Sequence, residues 1–423
     1  MQNKEINITP EIRRKAGEIL FFTAFILQVA IAIANSSMLA IPLLPVLYNQ
    51  VIYHMIVIFI HFLVMIKIII WPDGGIRQKV LLIGLYVLFL LQFFIVLGSD
   101  LTDRFPLQMA VMVIGAAGID YVKTIKVYLI ESLAAVFLMT VLAWVGYLPN
   151  PGYENGPPGV IRSSLGSVYP TDFAARIFFC TLLFLVIMNV KVKKHQYILL
   201  FVLGTVVFAA TFAKNNYICI VLTYVLFGID WFIRSDKASA RIRVVWDRLV
   251  SWAGLLAMPM AFLFMGVVSV TYREGETTGL IALIDKALSG RILLISRGFK
   301  EFGIPVFGQK LTYIGNGGST VFSEDYNFID CSYFYILFEY GVIATVLVIG
   351  AYIWLSRKYK NNRYIQYMLI MIAVACTVEH HLPDIAYNPA LLLLFADHPA
   401  DIRTASDQDP EHLPHSPKVQ SGS

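Results

Sequence analysis

Three basic side chains lie in polar surroundings that suit a bound anion. Arg162 lies among serines and a glycine in VIRSSLGSVYPTD, Lys214 closes an apolar run in TFAKNNY, and Arg291 follows a serine and a glycine in LSGRILLISRGFKEF. Arginine presents a planar fork that matches phosphate oxygens, and the ammonium group of lysine acts as a point charge. Three cations from separate segments suggest one shared anionic ligand, but the sequence alone does not bring them together.

Arg291 differs from the other two because it stands at the start of a predicted helix. Apolar residues at Ile292, Ile295 and Phe299 would give this helix a face that lies along a membrane surface. The unpaired N–H groups and the positive dipole end at its N-terminus would then bind an anion. The basic residues that follow either share in anion binding or contact lipid headgroups. They are Arg297, Lys300 and Lys310. Of these three, we take Arg297 as a further candidate for anion binding.

Candidates for a general base lie beside two apolar runs. Asp330 directly precedes one run in IDCSYFYILFEYG, and His380 and His381 directly follow another in CTVEHHLPDIAYNP. Histidine and carboxylate side chains are the usual groups that accept a proton from a reacting hydroxyl. Hydrogen bonding at a membrane interface is the alternative role for the two histidines. Glu339, about two helical turns beyond Asp330, would line the same cavity because intramembrane carboxylates usually face an interior or a water-filled space.

The sequence predicts no metal site and no cofactor. Adjacent histidines point in different directions, and a second cluster with ligand spacing is missing from the sequence. The cysteines at positions 180, 219, 331 and 376 lie in or beside apolar runs with no repeated spacing. This arrangement is typical of small buried side chains and not of disulfides or zinc ligands.

The elements that carry these residues are apolar. The chain has 423 residues, of which 58% are hydrophobic and 14% charged, whereas a soluble domain has about 25% charged residues. Apolar runs of roughly 18–24 residues match a hydrocarbon core about 30 Å thick. We therefore predict an all-α polytopic membrane protein with about twelve transmembrane helices. They lie near residues 18–34, 44–70, 79–97, 105–119, 124–146, 173–190, 196–213, 216–233, 249–270, 332–355, 364–379 and 385–396.

We expect residues 1–396 to form a single transmembrane domain. A polar tail over 397–423 has a composition typical of disorder, and a truncated or frame-shifted end is the other interpretation of this segment. Basic residues cluster in alternate connections, near positions 4–15, 67–79, 123–126, 191–194, 234–248 and 357–363. Because short cytoplasmic loops are enriched in lysine and arginine, we predict a cytoplasmic N-terminus. Two long extracytoplasmic loops, about 147–172 and 271–331, then carry Arg162 and Arg291.

Four fragments in a fixed order resemble the Wzy-type polysaccharide polymerases of bacteria and, more distantly, the O-antigen ligases that share their fold. They are Arg162-x-Ser164-x-Gly166 with Tyr169-Pro170; Thr211-x-x-Lys214; LSGR with EFGIPVFGQK and IDCSYFYILFEYG; and EHHLPDIAYNP. The third is the most specific, because it joins a charged loop to the start of a span. The chain departs from the family pattern at Tyr169-Pro170-Thr171, where His-Pro-Asn is common, and at Lys214, where arginine is usual. Its last apolar run also ends earlier.

The resemblance implies a metal-independent glycosyltransferase of the bacterial cytoplasmic membrane. Such an enzyme transfers a growing glycan from polyprenyl diphosphate onto the hydroxyl of a lipid-linked repeat unit at the outer face. Cations would stabilise the leaving diphosphate, a role that falls to Arg162, Lys214, Arg291 and Arg297. A base would remove the proton of the acceptor, a role for Asp330, His380 or His381. Membrane lipid, a flippase and a chain-length regulator are the implied partners, and nucleic acid is not.

Two other functions stay open. A flippase for the same lipid-linked units would show internal repeats and broken polar helices at mid-membrane. The two halves of this chain are dissimilar, and its polar residues concentrate in the two outer loops, which favours chemistry at one face. A ligase would move finished glycan to a different acceptor, and the sequence pattern does not separate it from a polymerase.

Overall fold

The protein is mostly helical in a computed structural model that describes residues 9–40, 50–97, 105–154, 159–235, 238–275, 278–315 and 325–397. A two-stranded antiparallel sheet, β1 (Gly152–Tyr153) and β2 (Arg162–Ser163), and two short 3₁₀ helices, Asn189–Lys191 and Pro389–Leu394, complete the described elements. The described α-helices are α1 (Pro10–Asn35), α2 (Gln50–Ile70), α3 (Ile76–Leu97), α4 (Phe105–Gly115), α5 (Tyr121–Trp144), α6 (Pro170–Met188), α7 (Lys194–Thr211), α8 (Lys214–Arg234), α9 (Ala240–Thr271), α10 (Leu280–Ala287), α11 (Arg291–Glu301), α12 (Ser332–Lys358) and α13 (Arg363–Ala375).

Nine of the described helices are long and apolar enough to cross a membrane: α1, α2, α3, α5, α6, α7, α8, α9 and α12. Large apolar side chains such as Phe137 and Trp144 are exposed on the outside of the bundle. A helix satisfies its own backbone hydrogen bonds, so such a surface is suited to lipid. The prediction of a multi-pass helical membrane protein is confirmed at this level. The helices α4 and α13 are apolar but shorter.

The last predicted span, residues 385–396, does not form an α-helix. It contains the 3₁₀ helix Pro389–Leu394, and nearly all of the segment is buried inside the protein. The Asn388 side chain accepts from the Ala390 N–H and donates to the Tyr352 hydroxyl. Asparagine and proline at its start favour local turns over a continuous helix. Of the predicted tail, only residue 397 falls within the described residues.

The helix α12 is broken at Gly341, where φ is +88°. The segment 305–309 fits into this break, and three backbone hydrogen bonds join the two. The donors and acceptors are Val342 to Pro305 (2.9 Å), Ile343 to Val306 (3.2 Å) and Gln309 to Glu339 (2.9 Å). A Cβ atom on Gly341 would lie 2.4 Å from the backbone nitrogen of Gly308. Only glycine accepts both this backbone conformation and this close approach.

Ion pairs hold together the helix ends that lie opposite this break. The buried carboxylate of Asp230, near the end of α8, lies 3.0 Å from the Arg363 guanidinium and 2.8 Å from that of Arg234. It also accepts a hydrogen bond from the Tyr364 hydroxyl. Both partners Arg363 and Tyr364 begin α13, so this carboxylate fixes α13 against α8. The loop that follows α13 is thereby held in place.

Candidate active site

A cavity of about 1160 Å³ lies where several helix ends meet. It is lined by the last residues of α1, the first residues of α6 and α8, and the loops around Arg162, Arg291, Asp330 and His380. These helix ends are the ones opposite the basic clusters of the sequence. The cavity therefore belongs to one face of the helical bundle.

The structure brings most of the sequence-predicted residues together in this cavity. Its lining includes Arg162, Lys214, Arg291, Asp330, Glu339, His380 and His381. Arg297 does not join them. It lines a separate cavity of about 410 Å³ and forms an exposed ion pair with Glu274.

Contacts within the protein hold the Arg291 side chain in place. One Nη atom lies 3.0 Å from the Asp330 carboxylate, and the other donates to the Ser289 carbonyl at 3.0 Å. The guanidinium side chain is 17% exposed. Burial lowers the pKa of Arg291, whereas the charges of Asp330 and Glu379 raise it, and the net shift is upward. Arg291 is therefore a fixed positive charge in the cavity wall.

The prediction that free N–H groups at the N-terminus of α11 bind an anion is wrong for Ile292 and Leu293. The carboxylate of Asp285 accepts the Ile292 and Leu293 N–H groups at 2.9 and 3.1 Å, so a carboxylate of the chain already caps this helix. The apolar face is also placed differently from the prediction. Ile292 and Ile295 are buried in the protein core, and the Phe299 ring packs edge-on against Phe338 at 5.2 Å.

Arg162 is positioned by the small sheet and by the end of α7. It pairs with Tyr153 across β1 and β2, and its Nε donates to the Thr211 carbonyl at 2.9 Å. Burial and the neighbouring Arg291 charge both lower the pKa of Arg162. Lys214 is exposed at the first position of α8. With Lys310, four positive charges border the cavity, and such an arrangement favours a polyvalent anion.

A carboxylate lies between the fixed arginine and an imidazole. The Asp330 Oδ2 atom is 3.0 Å from Arg291, and Oδ1 is 4.0 Å from the Nδ1 atom of His380. The His380 side chain is 26% exposed, and the edge of the Phe328 ring supports it at 5.0 Å. Burial lowers the pKa of His380. A neutral imidazole that is oriented by a carboxylate can accept a proton.

His381 lies deeper than its neighbour. Its side chain is only 2% exposed and stacks on the Tyr387 ring at 3.7 Å. The guanidinium of Arg176 lies over the Tyr387 ring at 4.4 Å. Of the two histidines, His380 is therefore the one that a bound substrate can reach.

Two sequence fragments of the resemblance are in direct contact. The Ser332 N–H, at the start of α12, donates to the carbonyls of Cys376 and Glu379 at 3.0 and 3.1 Å. The Ser332 hydroxyl accepts from the Leu382 N–H at 3.2 Å. These hydrogen bonds of Ser332 place Asp330 and His380 beside each other.

Sequence reasoning missed one residue of this region. Arg176, fully buried in α6, donates to the Ala386 carbonyl at 2.7 Å and to the Ser36 hydroxyl at 2.8 Å. Asp172, one turn before it, lines the cavity. Lys310, for which the sequence left anion binding and lipid contact open, lines the cavity as well. The Asp172-x-x-x-Arg176 spacing within an apolar run was the available signal, because polar residues four apart share one face of a helix.

Across the described ranges, no group of three or more His, Cys, Asp or Glu side chains is arranged to hold a metal ion. All four cysteines are free and buried, as predicted. The cavity combines fixed positive charge with a carboxylate–histidine pair, and it can bind a polyanion and remove a proton next to it. Comparisons with family models, curated proteins and solved structures found no match.

Proposed function

We propose that this protein is a polysaccharide polymerase of a bacterial cytoplasmic membrane. It transfers a growing glycan from polyprenyl diphosphate onto a lipid-linked oligosaccharide repeat unit. The observation that carries the proposal is the meeting of Arg162, Lys214 and Arg291 with the Asp330–His380 pair in one cavity. The fragments that resemble Wzy-type polymerases supply most of this lining, which supports the same assignment.

The proposed topology has a cytoplasmic N-terminus, about twelve passages through the membrane and two outer loops, 147–172 and 271–331. The cavity supports it, because its helix ends lie opposite the basic clusters that favour the cytoplasmic side. A lipid-linked donor would keep its chain in the bilayer and present its diphosphate at the membrane boundary. The cations border the cavity at that level.

In the proposed reaction the acceptor hydroxyl attacks the anomeric carbon of the donor glycan. The bond from that carbon to the diphosphate oxygen breaks, and the lipid diphosphate leaves with the bonding electrons. Arg162, Lys214 and Arg291 stabilise the negative charge that develops on this oxygen. His380 takes the proton of the attacking hydroxyl, and Asp330 orients its ring and stabilises the imidazolium that forms.

Two alternatives are separated by different observations. A flippase needs a passage from one face to the other, whereas the segment 381–393 lies buried below the cavity. This favours chemistry at one face over transport. A ligase would use the same donor and the same cations, and it differs only in the acceptor.

Deletion of the gene tests the proposal. We expect single lipid-linked repeat units to accumulate in the outer leaflet while long chains disappear, and reintroduction of the intact gene to restore the chains. Units trapped in the cytoplasmic leaflet would contradict a polymerase and favour a flippase. Long chains that persist on lipid but are absent from their final acceptor would identify a ligase.

A further inference from the structure

The cavity wall also contains a cluster of three side chains that the proposed reaction does not use. The Nε2 atom of His381 is 3.6 Å from a Glu379 carboxyl oxygen and 3.9 Å from an Asp172 carboxyl oxygen. All three side chains are buried. Neither ring nitrogen of His381 has a hydrogen-bond partner among the residues that the structure describes. A buried imidazole without a partner is costly, and a proton shared with a neighbouring carboxyl group would provide one.

The charges around this cluster do not balance when every carboxyl group is ionised. Within the described part of the chain, neither Asp172 nor Glu379 has an ion pair with an arginine or lysine side chain. Arg291 pairs with Asp330, and Arg176 binds a carbonyl, a hydroxyl and a ring face. The groups that act electrostatically on the cluster are the cations Arg162, Arg176 and Arg291, the carboxyls Asp330 and Asp384, and the neutral groups His380, Tyr153, Tyr326, Tyr387, Cys219 and Cys376.

Four carboxyl groups therefore face three arginines. One extra negative charge in a buried site carries a large desolvation cost, and one bound proton removes it. The Ser332 N–H donates to the Glu379 carbonyl at 3.1 Å and so fixes the backbone at Glu379. The carboxyl group is thereby held beside the His381 ring.

We propose that Asp172, His381 and Glu379 form a buried proton store that holds one proton on Glu379 at neutral pH. This inference deepens the proposed function and rests on it for its role in the reaction. Asp172 is the ionised member at rest and the acceptor for a second proton. The store shares the cavity wall with the cations of the diphosphate site.

The protonation states agree with the geometry. Burial raises the pKa of Glu379 well above its ordinary value. The Arg291 charge and the Asn216 side chain lower it, and the charges of Asp330 and Asp172 raise it. Burial lowers the pKa of His381 well below its ordinary value. The resting proton therefore lies on the carboxyl group, and the imidazole is neutral.

In the reaction the store receives the proton that His380 takes from the acceptor. The His380 and His381 rings are 4.3 Å apart between centroids, so the proton passes from His380 to His381 and from Nε2 to the Asp172 carboxylate. His380 returns to its neutral form for the next acceptor. Asp172 releases this second proton to water in the cavity after the lipid diphosphate departs. The protein therefore neither gains nor loses a proton over one cycle.

Infrared spectroscopy of the purified full-length protein in lipid nanodiscs tests the store without substrate. We expect the C=O stretching band of a protonated carboxylic acid at pH 7, where an exposed glutamate is ionised. The difference between the wild-type and Glu379→Gln spectra should show this band at pH 7 and should lose it only at a more alkaline pH. The matched control Glu11→Gln removes an exposed carboxylate on the first turn of α1 and should keep the band.

Asp172→Asn provides a second variant that keeps Glu379. Because the Asp172 charge raises the pKa of Glu379, its removal should shift the titration of the band to lower pH. Absence of the band in the wild-type protein at pH 7 would overturn the proposal and needs no variant. A band in Glu379→Gln as strong as that of the wild-type protein would also overturn it. Since none of these spectra depends on activity, a failed store and a failed polymerase assignment give different results.

Discussion

Replacement of Gly341 by alanine tests how the outer segment 305–309 is fixed to α12. The glycine has a φ of +88° and a ψ of 177°, a region that costs a residue with a side chain about 1–3 kcal/mol. The new Cβ atom would lie 2.4 Å from the Gly308 nitrogen and 2.7 Å from the Val306 carbonyl oxygen. The segment must therefore withdraw from the helix.

Withdrawal breaks the three backbone hydrogen bonds at this junction, each worth about 1 kcal/mol net. Together with the backbone strain, Gly341→Ala should lower the free energy of unfolding by about 4–6 kcal/mol. The assay is thermal unfolding of the purified protein with a thiol-reactive dye. The four free, buried cysteines react with the dye only when the fold opens.

Gly350→Ala, in the same helix, is the matched control. A Cβ atom there meets nothing within 4 Å, and alanine is favoured over glycine in a helix by about 1 kcal/mol. This variant should unfold at the wild-type temperature or slightly above it. If Gly341→Ala unfolds like Gly350→Ala, the segment 305–309 does not pack into the break of α12 and this part of the account is wrong.

Two further predictions concern stability. Asp285→Ala removes the carboxylate that caps α11 and should cost about 1–2 kcal/mol in thermal unfolding. Lys286→Ala, at the exposed neighbouring position of α10, should stay within about 0.5 kcal/mol of wild type. Burial raises the pKa of Asp384 from 3.8 to about 6, so its contribution to stability is complete below pH 3.8 and is lost as the pH rises through about 6. Asp384→Asn keeps an acceptor for the Ala386 N–H. By tryptophan fluorescence it should be more stable than wild type at pH 7 by about 2–3 kcal/mol and equal to it below pH 4; a stability gap that does not change with pH would contradict this explanation.

Most helices could be predicted from the sequence because apolar runs of membrane length leave little choice of structure. The run 385–396 looked the same by composition, yet it forms a buried 3₁₀ helix. Its Asn388 side chain bonds to neighbouring chain segments and Pro389 lacks an N–H group. Neither effect changes hydrophobicity, so a prediction from the length of apolar runs does not detect either of them.

The site was predictable residue by residue but not in its arrangement. Charged fragments such as LSGR and EHHL mark polar positions in an apolar chain, and Arg291 and His380 do line one cavity. The pairing of Arg291 with Asp330 depends on how loops fold back over long separations. The cap on α11 shows the same limit, because Asp285 lies six residues before the first helical residue and outside the local capping pattern.

The most direct test of the central claim compares two arginines of α11. Arg291 lies in the cavity beside Asp330, and Arg297 lies outside it in an exposed pair with Glu274. In cells that carry either alanine variant at wild-type protein level, polymer length is measured by gel electrophoresis and lipid-linked single repeat units by mass spectrometry.

We expect Arg291→Ala to abolish chain growth and accumulate single units, Arg291→Lys to restore little because lysine lacks the planar fork, and Arg297→Ala to make chains of normal length. Chains of normal length in Arg291→Ala would contradict the diphosphate role of this cavity.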